Sequence, residues 1–351
     1  MNKEISKKIH NANVLMTILI VALHSTNVGD IRLNPIRTIC DMAVPTFFCI
    51  SAFLYYQEWQ PTWQFYKKKI YSRLFSLLIP YIVYNIIFYF YYIVKIHILH
   101  TCIDKDIPIA PFEAILCIIM GVPDGVLWFI QVLLGFTLIA PFLGILIRTS
   151  RFSIFPIIIV GFILHYYTSY YSLLYWIPCY AFGCYCAFYQ DELKQIHKSV
   201  QSSHIYLSLG GSKSFFIVFI IISCICFYET RHQTLYYIYR ITVPIGLLWV
   251  YAENNIVPEW IVDKIKPYTF YMYCMHIGFI YTIFGVLTGS GISPNHWFLW
   301  PFLLTFTTTI ILLLLTGKIL RKTPVIWGLL TGFRNKADKY PLKQKTTNTS
   351  L

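Results

Sequence analysis

Ten apolar stretches follow one another along this chain, at 12–29, 38–56, 74–96, 126–147, 152–169, 171–190, 214–229, 235–251, 268–288 and 297–319. A helix needs about 20 mostly apolar residues to cross a bilayer, and in hydrocarbon every backbone N–H and C=O must be paired within its own segment. The pattern therefore predicts an all-α, polytopic integral membrane protein with about ten transmembrane helices. Composition points the same way. Hydrophobic residues make up 57% of the chain and charged residues 12%, against about 45–50% and about 25% in soluble domains. Tyr and Trp cluster at the ends of the runs, where such side chains anchor at the membrane–water interface. A further apolar piece, 111–121, is too short to span and is expected to lie at the interface or re-enter.

Lys and Arg set the orientation. With the N-terminus in the cytoplasm, 22 of them fall on inner segments and 5 (Arg32, Arg37, Lys95, Lys105, Arg231) on outer ones, with Arg240 inside the eighth run. The positive-inside rule then puts both termini in the cytoplasm. The net charge of +13 resides largely in these short loops, so it fits lipid headgroups or a phosphorylated ligand and not nucleic acid. Residues 1–320 form the expected ten-helix domain. Residues 321–351 form a basic cytoplasmic tail, expected to be disordered apart from an interfacial piece at 325–330. The first run lacks a small-residue cleavage site and is expected to be retained as a helix. Cys49, Cys179, Cys184, Cys186, Cys224, Cys226 and Cys274 all lie within apolar runs, where a thiol packs as a small hydrophobe; neither a disulfide framework nor a metal site is expected.

Polar residues inside such runs need partners or a task, since an unpaired polar group in hydrocarbon costs several kcal/mol or so. His24, in ILIVALHST, lies eleven residues beyond Asn13, roughly 16 Å along a helix, at mid-membrane or in the outer half. His276, in FYMYCMHIGF, is a second intramembrane imidazole, and Arg240 a third ionisable group. Either histidine can be a structural hydrogen bonder or a working group. Ser51 follows Pro45 in the small-residue stretch VPTFFCISAF, and both Pro45 and Pro80 free carbonyls that a neighbouring helix or a cavity must satisfy. The segment FYKKKIYSRLFSLLIPY brings Lys67, Lys68, Lys69 and Arg73 to the start of the third run. These cations serve topology, or some of them grip phosphates, and Arg73 is nearest the membrane. Trp128 can be an interface anchor or a ligand contact, while Gln131, one turn deeper, is harder to explain as an anchor.

The order of these motifs resembles the membrane acyltransferase-3 family, enzymes that O-acylate bacterial envelope glycans. IVALHS, AVPTFFCISAFL, SRLFSLLIPYIVYN, LWFIQVLLGFTLIAPFL and FYMYCMH carry the likeness over most of residues 9–288. The resemblance implies a multi-pass protein of the bacterial inner membrane that moves an acetyl or other short acyl group from cytoplasmic acyl-CoA to a hydroxyl of an exported polysaccharide or lipid-linked sugar. It implies His24 as general base, since a neutral imidazole suits removal of a hydroxyl proton. His276 and Ser51 are implied at the reaction centre. Arg73, Lys69, Asn13, Gln131 and Trp128 are implied along the donor path, with acyl-CoA as a substrate and no bound cofactor. Asn13 and Gln131 stand where the family pattern has arginines, and Ser51-Ala52 where it has Ser-Gly; Lys7, Lys8 or Arg240 are the cations expected to compensate. The alternative is a transporter without chemistry, or an inactive relative, handling a glycan or lipid-linked sugar; the absence of internal repeats tilts against transport.

Overall fold

A computed structural model describes residues 3–26, 31–99, 107–203, 211–227, 233–291 and 299–334. Lys105, Arg231 and the tail from 335 onward lie outside the described residues. Every regular element among the described residues is helical. In chain order they are α1 (Lys3–Ser25), α2 (Asn34–Cys40), α3 (Ala43–Tyr56), α4 (Trp63–Arg73), α5 (Ile79–Ile93), α6 (Pro111–Met120), α7 (Trp128–Thr149), α8 (Ile154–Leu164), α9 (Leu173–Phe188), α10 (Gln190–Gln201), α11 (Gly211–Cys226), α12 (Gln233–Glu253), α13 (Glu259–Ile265), α14 (Thr269–Gly289), α15 (Leu299–Leu320) and α16 (Pro324–Thr331).

Each of the ten apolar runs overlaps helical structure among the described residues. Among the described residues, 6 helical segments are long and apolar enough to cross a membrane: Ile31–Tyr56, Trp63–Ile98, Gly125–Thr149, Gln233–Glu253, Glu259–Gly289 and Leu299–Leu320. Runs five to seven become shorter apolar helices (Arg151–Leu164, Leu173–Phe188, Gly211–Cys226), and so does the piece at 111–121 (Pro111–Met120). The first run extends into α1, whose opening turns carry Lys3, Glu4, Lys7 and Lys8. Leu138, Phe142, Ile159, Ile225 and Ile319 are exposed, as residues facing lipid tails would be. The whole is a multi-pass helical membrane protein.

The core is built on α3 and α9, which make the most extensive contact of any pair, with α7 and α8 packed on α9 and α1 lodged between α3 and α14. The α3–α9 approach depends on missing side chains. A Cβ at Gly183 would sit 2.1 Å from the Cys49 carbonyl oxygen, and the Cys49 thiol donates to the Cys179 carbonyl at 2.9 Å. Small residues let two backbones meet where no hydrophobic effect drives helices together. The start of α1 is fastened by buried Asn11. Its amide donates to the Val257 carbonyl at 2.6 Å and accepts from the Val257 N–H at 3.0 Å and the Tyr251 hydroxyl at 3.1 Å.

Between α4 and α5 the chain widens into a π turn, Leu74–Leu78. Pro80 follows it, has no N–H, and cannot bond the Ser76 carbonyl four residues back. The expected interfacial piece at 325–330 is α16, which packs on α5 with Trp327 and Leu330 buried.

Candidate active site

The two membrane histidines meet. His24 sits on the last turn of α1, where the Ser25 hydroxyl donates to the Val21 carbonyl at 2.8 Å and the Thr26 hydroxyl to the Leu23 carbonyl at 2.6 Å. Its ring centroid is 5.0 Å from that of His276, the planes inclined by 49°. His276 is fully buried on α14. Its Nδ1 lies 2.6 Å from the Tyr273 carbonyl oxygen. A carbonyl only accepts, so Nδ1 carries the proton, and in the neutral ring Nε2 is left with a lone pair. That Nε2 has no hydrogen-bond partner among the described residues, an unusual state for a buried polar atom.

His24 is half-buried and lines a cavity of ≈ 460 Å³. Trp128, Tyr170 and Tyr171 give that cavity an aromatic wall, and Arg37, Asp41 and Arg240 give it a charged one. The Trp128 ring centroid lies 4.8 Å from that of Tyr170 and 5.5 Å from that of Tyr171. The Arg240 guanidinium is 4.6 Å from each of the Tyr170 and Tyr236 ring centroids, donates to the Tyr175 hydroxyl at 2.9 Å and pairs with Asp41 at 3.5 Å. The Tyr236 hydroxyl also donates to Asp41. Two opposite charges on different apolar helices are thus paired and held by tyrosines, which is how charge is tolerated at such depth.

A second cavity, ≈ 160 Å³, is lined by Asn13, Thr17, Ser51, Arg73, Tyr273 and Arg334 among others. Arg73 reaches across from the end of α4, its Nη2 at 3.5 Å from both the carbonyl and the hydroxyl of Ser51. Phe129 and Tyr273 line both cavities and stand between them. The Tyr273 hydroxyl is held by the Val126 carbonyl at 2.6 Å, and the Phe129 ring packs 4.6 Å from that of Phe48. Two chambers, one lined by Arg73 and Arg334 and the other by His24, aromatic rings and the Arg240–Asp41 pair, therefore adjoin across two side chains.

The family model for the acyltransferase domain, type 3, matches residues 9–317. The chain belongs to the acyltransferase-3 family. No curated protein and no solved structure matches it. Membership makes the bundle a membrane acyltransferase in general terms.

Within this acyltransferase-3 bundle the expected site residues separate into groups. His24 and His276 come together on one side of the partition; Asn13, Ser51 and Arg73 share the other chamber. Trp128 lies on the wall of the His24 chamber and not on that of the Arg73 chamber. Gln131 lines neither. Its amide donates to the Met120 carbonyl at 2.8 Å and the Tyr81 hydroxyl at 2.6 Å, while Tyr81 donates to the Ile119 carbonyl at 2.9 Å. The pair satisfies carbonyls that the end of α6 leaves open. Lys69 lies over the Tyr55 and Phe65 rings, 5.4 and 5.1 Å from their centroids. The cations expected to compensate for the two missing arginines do not reach the Arg73 chamber: Lys7 pairs with Glu259, Lys8 donates to the Ala252 carbonyl at 2.7 Å, and Arg240 belongs to the His24 chamber.

Sequence reasoning passed over Asp41, Tyr170, Phe129 and Arg334. Asp41 was within reach, being a lone carboxylate inside the second apolar run and a natural partner for Arg240 in the eighth. Phe129 and Tyr170 are two aromatics among the 18% of the chain that is aromatic, and no local signal sets them apart.

Proposed function

We propose that this protein is an O-acyltransferase that moves an acetyl or other short acyl group from acyl-CoA to a hydroxyl of an exported polysaccharide or lipid-linked sugar. In this reading the chain crosses the bacterial inner membrane ten times with both termini in the cytoplasm. Donor enters the Arg73 chamber, and acceptor enters the His24 chamber.

The observation that carries the reading is the His24–His276 contact on the wall of the larger cavity. In the reacting complex His276, whose Nδ1 proton is committed to the Tyr273 carbonyl, takes an N–H of the neighbouring His24 ring at its otherwise unpartnered Nε2 lone pair. That bond leaves the other nitrogen of His24 as an acceptor, in the tautomer a general base needs. An acceptor hydroxyl gives its proton to His24 as its oxygen attacks the thioester carbonyl. The C–O bond forms, the tetrahedral intermediate collapses with cleavage of the C–S bond, and the His24 imidazolium returns the proton to the departing CoA thiolate. Trp128, Tyr170 and Tyr171 supply flat apolar faces for a sugar ring, and Arg73, held against Ser51, supplies a cation on the donor side.

A second reading has an observation of its own: two chambers divided by Phe129 and Tyr273 also suit a carrier that opens alternately to either side. Replacing His24 by Ala separates the two. In the enzyme, ester on the glycan, measured by mass spectrometry at matched protein levels, falls by about 10²- to 10⁴-fold, the usual contribution of a general base. Unchanged ester content would remove His24 from catalysis.

A further inference from the structure

The Arg73 chamber contains a cation that neither the motif pattern nor the family resemblance assigns to it. Arg334 reaches it from the far end of the chain, beyond the last membrane helix, and several local features bring it there. Pro324 opens α16, and the rings of Tyr268 and Tyr271 hold Trp327 at centroid distances of 5.8 and 5.5 Å. The helix stops at Gly332, whose φ of 69° is left-handed, and the Phe333 N–H closes back onto the Gly328 carbonyl at 2.9 Å. This is a Schellman-type cap, in which glycine takes the conformation other residues resist. A Cβ on Gly332 would lie 2.6 Å from the Cα and carbonyl oxygen of Ser76, so only glycine allows the chain so close to the π turn. From there Arg334 stacks its guanidinium 3.6 Å from the Phe270 ring centroid and donates to the Ser76 carbonyl at 3.1 Å. That carbonyl is the one Pro80 cannot bond.

Two guanidinium groups thus line one small chamber, and no carboxylate is among the residues that line it. Neither arginine forms an ion pair with a described carboxylate. Desolvation, with a smaller push from the neighbouring Arg73 charge, pulls the Arg334 pKa down to about 10; it remains a cation at neutral pH. A doubly positive chamber without a counter-charge is an anion site, and a planar fork is the donor geometry best matched to phosphate.

We infer that Arg334 and Arg73 together bind a phosphate group of the acyl donor, with the C-terminal helix closing the donor site and supplying a cation that Asn13 and Gln131 do not. The inference rests on the acyl-CoA reading given above. The test uses the full-length protein in detergent and two donors, acetyl-CoA and the phosphate-free S-acetylpantetheine. Arg334→Gln is expected to raise the KM for acetyl-CoA by about tenfold with kcat nearly unchanged, the effect of losing one charge-assisted bond made equally in ground and transition states. Kinetics with S-acetylpantetheine should match wild type. Arg334→Lys, which keeps charge without the fork, should fall between, and it carries the same comparison if the glutamine variant melts early. Equal changes with both donors would make Arg334 merely structural, and no change with either would remove it from the site; both results overturn the inference. A wild-type protein that neither binds nor uses acetyl-CoA would instead overturn the donor assignment itself.

Discussion

At the scale of single residues, the proposed reaction divides one task between the imidazoles of His24 and His276. In that proposal His24, which borders the cavity, touches the substrate, and His276, which is fully enclosed, acts through His24. It is a positioning residue, and what it offers is an acceptor lone pair at Nε2. Arg73 and Ser51 are similarly paired, at 3.5 Å, on the other side of Phe129 and Tyr273. His276→Ala is expected to lower kcat by about 10- to 100-fold with little effect on either KM, the size of effect seen when the group that orients an active side chain is lost. His276→Gln, which keeps an acceptor oxygen near the Nε2 position, should recover part of that loss. Steady-state kinetics of both variants check this, and equal activity of the two would show that an acceptor at position 276 is not what His24 needs.

At the scale of elements, the bundle is organised by where backbones can approach. The α3–α9 contact closes because Gly183 lies against the Cys49 backbone, and α3 carries Ser51 toward Arg73. Gly183→Ala would press a methyl group into a carbonyl that cannot move aside, which costs about 1–3 kcal/mol in a packed interior. A thermal melt in detergent should show a lower midpoint, and any loss of activity should follow the loss of folded protein. An unshifted midpoint would show that α3 and α9 can separate without cost. The π turn at Leu74–Leu78 and the end of α6 show a second rule: carbonyls freed by Pro80 or by a helix terminus are taken up by side chains from distant elements, Arg334 in one case, Gln131 and Tyr81 in the other.

For the whole molecule, the decisive feature is that two cavities share Phe129 and Tyr273 as a common wall. If acyl transfer takes place across Phe129 and Tyr273, the partition has to keep water from the thioester until an acceptor is present. Phe129→Ala should therefore raise hydrolysis of acyl-CoA in the absence of acceptor severalfold relative to transfer, because side reactions follow water into an opened site. Thiol release measured with and without acceptor tests this, with the melting midpoint as the control for folding. A ratio equal to that of wild type would mean that the two chambers do not communicate at Phe129.

The sequence by itself determined the class of the molecule and the place of each apolar helix, since apolar runs near membrane length have few folded states open to them. It also marked the two histidines and Arg73 as unusual, because ionisable groups inside or at the edge of such runs need a reason. It did not reveal that His24 and His276 touch, since residues 252 positions apart meet only through the crossing of α1 and α14. Nor did it show that Gln131 caps α6, or that Arg334, in a basic tail expected to be disordered, returns to the Arg73 chamber. Hydropathy reports what a segment can do alone against water or lipid. Which carbonyl lacks a donor, and which distant side chain supplies it, is settled only when the helices pack.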